Sequence, residues 1–328
     1  VKKEHLYSIV SLKTGIPMRE INKTYAKKLL SLDETLKKIV IGQDHAIASI
    51  HKNLIMNKCG LESGAKPLGS FLLLGSPGLG KTHIAKSIAR HFFGGLDQLI
   101  HLDMSEFSEK QSASRLIGAA PGYVGYEEGG LLIEKVRSKP YSVVLFDEVE
   151  KAHEDVFQLL LQILEEGRLT DNFGRSAVFS NCLIILTANV GSSERDRTSL
   201  GFNNSLISEE EEKSQFLKKS KEYFKPEFLD RLDDILVFRN FSDDSYLEII
   251  DIELNKLRNM CAKNKVNVFF DESVSDFLLK KVKEKNSGAR PLLKLIKYHI
   301  EYQYSIKHLK GKIKSGATVC FKGLKDKV

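Results

Sequence analysis

The sequence predicts an α/β fold in which helices cover both faces of a mostly parallel sheet, followed by a smaller α/β domain. Short apolar segments alternate with helical segments from about Ser70 to Phe238. Strands that are apolar throughout, without polar alternation, are typical of parallel sheets buried on both faces. The chain has 328 residues, 42% of them hydrophobic and 28% charged, which is enough for a full core and a second domain.

The elements of the large domain follow a polar leader, 1–30, that Gly15 and Pro17 interrupt. Apolar periodicity predicts helices at 29–39, 46–56, from 81, near 129–137 and at 154–165. Apolar runs predict strands at 70–74, 99–102, 142–146, 182–187 and 235–238. The segment 192–214, which contains the acidic run Glu209–Glu212, is expected to be a mobile loop.

The pattern changes after Phe238, where helices dominate. Helices are predicted at 243–263, 272–283 and 290–309, and two short strands at 266–270 and 318–321. The predicted organisation is therefore a leader at 1–30, a large domain at 31–239 and a small C-terminal domain at 240–328.

Composition argues against several functional classes. The net charge is +7, but 43 acidic residues nearly balance 50 basic ones, and lysine runs such as 280–285 fit a solvated helix face. No nucleic-acid partner is therefore expected. No apolar run reaches the ~18 residues of a spanning helix, so no membrane role is expected.

The four cysteines lie far apart without a CxxC pair, which predicts reduced thiols and no bound metal among them. The chain opens on Val1, without an initiator Met, and is expected to be a piece of a longer protein.

The most specific motif fits GxxxxGK[ST] and lies between an apolar strand and a helix start, where a phosphate-binding loop belongs. Its residues are Gly75, Ser76, Pro77, Gly78, Leu79, Gly80, Lys81 and Thr82. Glycines let backbone N–H groups approach phosphate oxygens, Lys81 supplies a charge for the β- and γ-phosphates, and Thr82 supplies a hydroxyl for Mg²⁺. A glycine-rich turn that binds nothing is the alternative interpretation, and the strand context argues against it.

Two further strand ends carry polar groups. Asp147 and Glu148 end an apolar strand, where Asp147 can lie beside the Mg²⁺ held by Thr82 and Glu148 can act as general base on water. Asn189, in Thr187-Ala188-Asn189, can orient that water. Acids or an amide at a strand end can also be ordinary turn residues. Their occurrence together with the phosphate loop favours the catalytic interpretation.

Two arginines and one aromatic residue complete the candidate set. Arg231 could be offered by a neighbouring subunit to the transferring phosphoryl group, and Arg290 could reach the same nucleotide from within its own subunit. Each could instead form a surface ion pair. Tyr123, followed by Val124 and placed between Gly122 and Gly125, suits gripping an extended peptide. A tyrosine that packs its loop onto the core is the alternative.

These residues resemble the second ATPase module of the Clp unfoldases, the ClpA/ClpB/ClpC group of AAA+ proteins. The resemblance covers nearly the whole chain, and it rests on Thr14-Gly15-Ile16-Pro17, Gly42-Gln43, Pro121-Gly122-Tyr123-Val124-Gly125-Tyr126-Glu127, Leu145-Phe146-Asp147-Glu148-Val149-Glu150-Lys151-Ala152-His153 and Gly167-Arg168-Leu169-Thr170-Asp171. It implies an AAA+ P-loop ATPase that forms a homo-hexamer, uses ATP with Mg²⁺ and threads unfolded polypeptide substrates through its ring.

The resemblance also implies residue roles. Tyr123 and Val124 would form the pore loop, Asn189 would be sensor 1, Arg290 sensor 2 and Arg231 the arginine finger. Ile16 and Ile41 would line the adenine pocket. Asp230 stands where the family has Asn, and its carboxylate could pair with Arg231 in the isolated subunit.

The tripeptide Leu200-Gly201-Phe202 resembles the loop by which protease-partnered members bind a ClpP-type peptidase. Adaptor proteins are further partners of such members. The stretch 223–238 is most similar to ClpC of plastids and cyanobacteria, which implies a plastid stroma (apicoplast-like) or a bacterial cytoplasm. The alternatives are a ClpB-like disaggregase without a peptidase, a non-hydrolysing assembly scaffold, and a DNA-remodelling motor, whose DNA binding would depend steeply on salt.

Overall fold

The computed structural model describes residues 5–6, 9, 24–58, 66–118, 129–190, 209–284, 288–314 and 316–322. The chain divides into two compact units. The first combines Val1–Gly75 with Lys81–Phe238, and the second combines Ser76–Gly80 with Arg239–Val328. The short segment Ser76–Gly80 thus makes its contacts with the second unit, which the sequence did not predict.

The first unit contains most of the regular structure. Its helices are α1 (Thr24–Leu30), α2 (Leu32–Lys37), α3 (Asp44–Lys58), α4 (Lys81–His91), α5 (Lys110–Ser114), α6 (Leu131–Ser138), α7 (Glu154–Glu166), α8 (Glu209–Tyr223) and α9 (Pro226–Leu229). Short 3₁₀ turns lie at Leu96–Gln98, Met104–Phe107 and Val149–Lys151. Its strands are β1 (Gly69–Leu74), β2 (Leu99–Asp103), β3 (Val143–Asp147), β4 (Arg168–Thr170), β5 (Ser176–Val178), β6 (Leu183–Ala188) and β7 (Asp234–Val237).

Five of these strands form one parallel sheet in the order β2-β3-β6-β1-β7. The central strands β1 and β6 are buried at every position, which explains their continuous apolar sequences. Helices and strands contribute side chains to one hydrophobic core, which includes Leu72 of β1 and Phe228 of α9. The predicted parallel α/β fold is confirmed.

One local prediction was wrong, and one hairpin was missed. The acidic run at Glu209 opens helix α8, where the sequence predicted a loop up to 214. Glutamate has a high helix propensity, so an acidic run is compatible with a helix. The antiparallel hairpin of β4 and β5 was not predicted, because each of its strands has only three residues, which is too short for a periodic signal.

The second unit contains α10 (Asp243–Lys263), α11 (Glu272–Lys283), α12 (Ala289–Ile296), α13 (Tyr302–Leu309) and the parallel pair of β8 (Asn267–Phe270) and β9 (Thr318–Phe321). A π-helical turn, Lys297–Glu301, divides the predicted helix 290–309. The second unit has its own hydrophobic core, built from residues such as Ile250, Leu278, Leu292 and Phe321. Within the described part of the chain, every helix is too short or too polar to cross a bilayer.

Candidate active site

Three neighbouring strands of the sheet end beside one another. Gly75 follows β1, Asp147 ends β3 and Asn189 follows β6, and β6 lies between β3 and β1. Because all three strands are parallel, their carboxyl ends meet at one edge, which is where open α/β sheets bind ligands. The sheet order therefore brings together side chains that are far apart in the chain.

Lys81 is the first residue of α4, and only 6% of its surface is exposed. Its ammonium group donates to the Gly75 carbonyl oxygen at 2.6 Å and to Asn189 Oδ1 at 3.0 Å. A cation at the N-terminal end of a helix, beside a glycine-rich loop, suits a phosphate ligand.

Asp147 accepts hydrogen bonds from three sides. Thr82 Oγ1 lies 3.1 Å from its Oδ2, and the Thr187 hydroxyl donates to its Oδ1. His101 Nε2 lies 3.1 Å from Oδ2. Burial raises the pKa of this carboxyl, but the hydrogen bonds from His101, Thr187 and Thr82 outweigh burial and lower the pKa to about 2. Asp147 is therefore ionised at any physiological pH.

Glu148, the predicted base, has a left-handed backbone with φ 58° and ψ 48°. This conformation is uncommon for a residue with a side chain, and such strain concentrates at functional sites. Its Oε1 accepts from Asn189 Nδ2 at 3.2 Å, and its Oε2 lies 2.5 Å from Lys151 Nζ. Its N–H donates to Thr187 Oγ1 at 3.1 Å. Contacts at both carboxylate oxygens and at the backbone thus orient the predicted base.

The turn after Glu148 is attached to the end of β6. Glu150 Oε1 accepts from the Asn189 N–H at 3.1 Å. Asn189 therefore has its backbone held by Glu150 while its side chain bridges Lys81 and Glu148. The residue predicted to orient the water therefore lies between Lys81, which is predicted to bind phosphate, and the predicted base.

In the second unit, the loop segment Ser76–Gly80 lies against the start of α12. The Ala289 N–H donates to the Gly78 carbonyl oxygen at 2.9 Å. A β-carbon on Gly288, whose φ is +51°, would lie 2.8 Å from the Gly78 carbonyl carbon, so only glycine allows this approach. A β-carbon on Gly78 would lie 3.5 Å from Arg290 Cγ. The structure therefore places Arg290 beside the glycine-rich loop, as a nucleotide-contacting arginine requires.

Arg231 lies after α9, on the exposed surface of the first unit. Its Nε lies 2.7 Å from Glu165 Oε1 on α7. The neighbouring Asp230 is exposed, and the ion pair that the structure shows for Arg231 is with Glu165 rather than with Asp230. Arg231 lies on an exposed surface, which is compatible with action on another subunit.

Several predicted site residues lie outside the described part of the chain. They are Ile16, Tyr123, Val124, Leu200, Gly201 and Phe202, so their roles stay predictions. Ile41 belongs to the described residues and lies in the turn before α3, where 7% of its surface is exposed.

The sequence analysis assigned no role to several side chains that contact predicted site residues, among them His101, Glu150, Lys151, Glu165 and Thr187. His101 is an exposed polar residue on β2, whose neighbours Ile100 and Leu102 are buried. That alternation was a signal that one face of β2 points to a polar site. Lys151 and Glu165 had no comparable signal, because ion pairs of exposed residues follow no sequence period.

The residues present fit a nucleotide with magnesium. Mg²⁺ prefers oxygen ligands and usually binds one or two protein oxygens together with phosphate oxygens and water. Thr82 Oγ1 and the ionised Asp147 carboxylate supply such oxygens 3.1 Å apart. The described residues include no group of three or more His, Cys, Asp or Glu that could hold a metal, and a magnesium ion bound with phosphate requires none.

Comparison with protein families identifies two matching regions. Residues 66–235 match the AAA domain (Cdc48 subfamily). Residues 241–321 match the C-terminal, D2-small domain of ClpB protein. The first match covers the sheet and the strand ends described above, and the second covers most of the second unit.

Individual relatives agree with these matches. The chain is 44% identical over 304 residues to the ATP-dependent Clp protease ATP-binding subunit ClpC of Staphylococcus aureus (strain USA300), and 43% identical to that of Staphylococcus epidermidis. Each alignment covers 92% of this chain and 37% of the relative, so the chain spans little more than a third of those proteins. A cryo-EM reconstruction of closed-state Hsp104 with ATPγS and FITC casein matches with a TM-score of 0.82 and 34% identity, over 98% of this chain and 54% of that one.

Proposed function

The chain belongs to the AAA family of ATPases and has the small C-terminal domain of the ClpB type, and from this membership we propose that it is the C-terminal motor of an ATP-driven protein unfoldase. Its relatives include the ATP-binding subunit of a Clp protease, and the structural match was determined with ATPγS and casein. The proposed activity is ATP hydrolysis coupled to the threading of unfolded polypeptide through a ring of subunits.

The observation that carries the proposal is the hydrogen-bond network at the strand ends. Lys81, Asn189 and Glu148 form a continuous chain of contacts, and Thr82 and Asp147 lie next to it. In the proposed reaction, Lys81 holds the β- and γ-phosphates, and Thr82 and Asp147 hold Mg²⁺, which neutralises phosphate charge. Glu148 accepts the proton of the attacking water, and Asn189 orients that water. Two acids and an amide around a phosphate-binding lysine support hydrolysis rather than a scaffold that only binds nucleotide.

The proposed assembly is a homo-hexamer. An arginine that acts on the nucleotide of the next subunit must be exposed and must not be buried in the core of its own subunit. Arg231 meets both conditions. Arg290, beside Gly78, is proposed to contact the nucleotide of its own subunit. Ile16 and Ile41 are proposed to line the adenine pocket.

The proposed partner of the full-length protein is a ClpP-type peptidase, with adaptor proteins as further partners. The support is the similarity to ClpC, which is named as a subunit of a Clp protease, and the tripeptide Leu200-Gly201-Phe202 in the sequence. The match of residues 241–321 to the small domain of ClpB keeps a ClpB-like disaggregase as the second candidate function. The curated relatives are bacterial, and a bacterial cytoplasm or a plastid stroma is the proposed compartment.

The test uses the full-length protein that contains this chain. We expect ATP-dependent loss of fluorescence from a folded, degradation-tagged fluorescent protein, and its conversion to peptides when a ClpP-type peptidase is added. Phe202→Ala should abolish peptide production while ATP turnover and unfolding continue, since an apolar anchor contributes most of the energy of such a contact.

Asn203→Ala is the matched control, because it changes the next residue of the same segment without removing an apolar anchor. Peptide production that continues in the Phe202→Ala protein would favour the disaggregase. A wild-type protein that hydrolyses ATP but never unfolds the tagged substrate would contradict the unfoldase itself.

A further inference from the structure

Two acidic residues end helix α7, where the helix macrodipole disfavours them. The last turn contains Glu165 and Glu166 and no basic residue, although the partial negative charge at a helix C-terminus favours Lys, Arg or His. Each carboxylate has an arginine partner instead: Arg231 Nε lies 2.7 Å from Glu165 and Arg168 Nε lies 3.4 Å from Glu166.

The backbone of Arg231 is also held by α7. Arg231 follows α9, whose Phe228 is 1% exposed and packs edge-on against Phe157 of α7, with ring centroids 5.3 Å apart. Phe224 contacts the same two rings. The Arg231 N–H donates to the Phe228 carbonyl oxygen at 3.3 Å. The packing of these three rings therefore fixes the position of the Arg231 backbone relative to α7.

The side chain of Arg231 then meets the other end of the same helix. Phe157 and Glu165 are eight residues apart on α7, which is about 12 Å of helix. The contact is made at Nε, the guanidinium nitrogen nearest the side-chain stem, and the two terminal nitrogens extend beyond it. A carboxylate at this edge limits the rotamers of a long side chain while the outer donors can still reach a phosphate.

We propose that Glu165 is the positioning residue for Arg231, so that α7 orients this arginine toward the nucleotide of the neighbouring subunit. The inference rests on the proposed function, since it requires Arg231 to act across a subunit boundary. An exposed ion pair adds little to stability, so the contribution of Glu165 is to geometry. In this role, Glu165 contacts neither the nucleotide nor the water molecule that attacks it.

The test compares Glu165→Gln with Glu166→Gln in the full-length hexameric protein. Glu165→Gln should lower ATP turnover about 3- to 10-fold with an unchanged KM for ATP, because a misplaced catalytic group reduces kcat rather than ground-state binding. Glu166→Gln removes the same charge from the adjacent position and should leave turnover unchanged. Glu165→Asp, which keeps the charge on a shorter stem, should fall between wild type and Glu165→Gln.

Two further measurements separate positioning from general damage to the fold. The double variant Glu165→Gln/Arg231→Ala should turn over no more slowly than Arg231→Ala alone, because the carboxylate acts only through the arginine. Mixed rings of Glu165→Gln and Glu148→Gln subunits should regain activity, because an intact arginine then faces an intact base at some interfaces. Additive losses in the double variant, or no recovery in mixed rings, would overturn the inference.

The remaining outcomes also decide it. If Glu165→Gln fails to assemble, the Glu165→Asp ring substitutes: reduced kcat at unchanged KM supports the inference, and wild-type kcat overturns it. If Arg231→Ala retains full turnover, the inference is overturned because the arginine has no trans role. ATP hydrolysis by the wild-type ring would leave the proposed function standing in that case.

Discussion

Lys81 Nζ and Asn189 Oδ1 lie 3.0 Å apart, although 108 residues separate them in the chain. The contact joins the start of α4, after β1, to the end of β6, and these two strands are neighbours in the sheet. Through Asn189, the same contact reaches Glu148. A single amide side chain therefore connects Lys81 with the predicted base.

Glu148 and Lys81 are expected to separate binding from hydrolysis. Glu148→Gln removes the base but keeps the shape of the site, so ATP should still bind while turnover falls about 100-fold or more. Lys81→Ala removes the charge that holds phosphate, so ATP affinity itself should fall about tenfold or more. Calorimetric titration with ATPγS and a phosphate-release assay measure the two effects. Normal turnover in a hexameric Glu148→Gln protein would contradict the assignment of the base.

Asp147 is expected to make stability depend on pH at the acidic end. Its pKa is about 2 in the folded protein and 3.8 ordinarily. A lowered folded pKa means that the charged form stabilises the fold above pH 3.8, and that this stabilisation is lost as the pH falls toward 2. After allowance for solvent screening the effect is about 1 kcal/mol. Urea unfolding of wild type and Asp147→Asn should therefore differ above about pH 4 and converge near about pH 2. A constant difference across that range would contradict the prediction.

Gly288 is expected to tolerate no side chain. In Gly288→Ala the methyl group would meet the backbone of Pro77 and Gly78 at 2.8–2.9 Å, and the positive φ adds strain. We expect a loss of about 2–4 kcal/mol in the free energy of unfolding, and weaker ATP binding, because the glycine-rich loop would shift.

Gly311→Ala is the matched control for that substitution. Gly311 has φ +68°, and beyond its two chain neighbours no atom of the described residues lies within 4 Å of the position that an added methyl group would take. Only the backbone strain of about 1 kcal/mol therefore remains. Equal losses in the two variants, measured by urea denaturation, would show that the approach to Gly78 contributes nothing.

Tyr123 is expected to grip substrate without affecting the nucleotide. In the full-length protein, Tyr123→Ala should slow unfolding of a tagged substrate several-fold while basal ATP turnover stays near wild type. Tyr123→Phe keeps the aromatic ring and should retain most of the activity. Unfolding by Tyr123→Ala at the wild-type rate would mean that the ring packs within its own subunit.

The type of fold and the candidate chemistry of the chain could both be predicted from its amino-acid sequence. The phosphate loop at 75–82 and the acids at 147 and 148 are contiguous motifs, and each apolar strand carries its own signal of burial on both faces. Helices α10 and α11 were predicted at their observed limits, Asp243–Lys263 and Glu272–Lys283. Such features are local, so a short window of sequence contains them.

Which of these groups contact one another could not be predicted from the sequence and depends on the fold of the whole chain. The order β2-β3-β6-β1-β7 places Asn189 between Lys81 and Glu148 and brings His101 to Asp147. It was also the structure that paired Arg231 with Glu165, although the nearest acid in sequence is Asp230. Contacts between distant residues depend on which strands are neighbours and on how helices pack across the sheet. The strand order and the helix packing minimise the free energy of the whole core, so no single segment of the sequence encodes them.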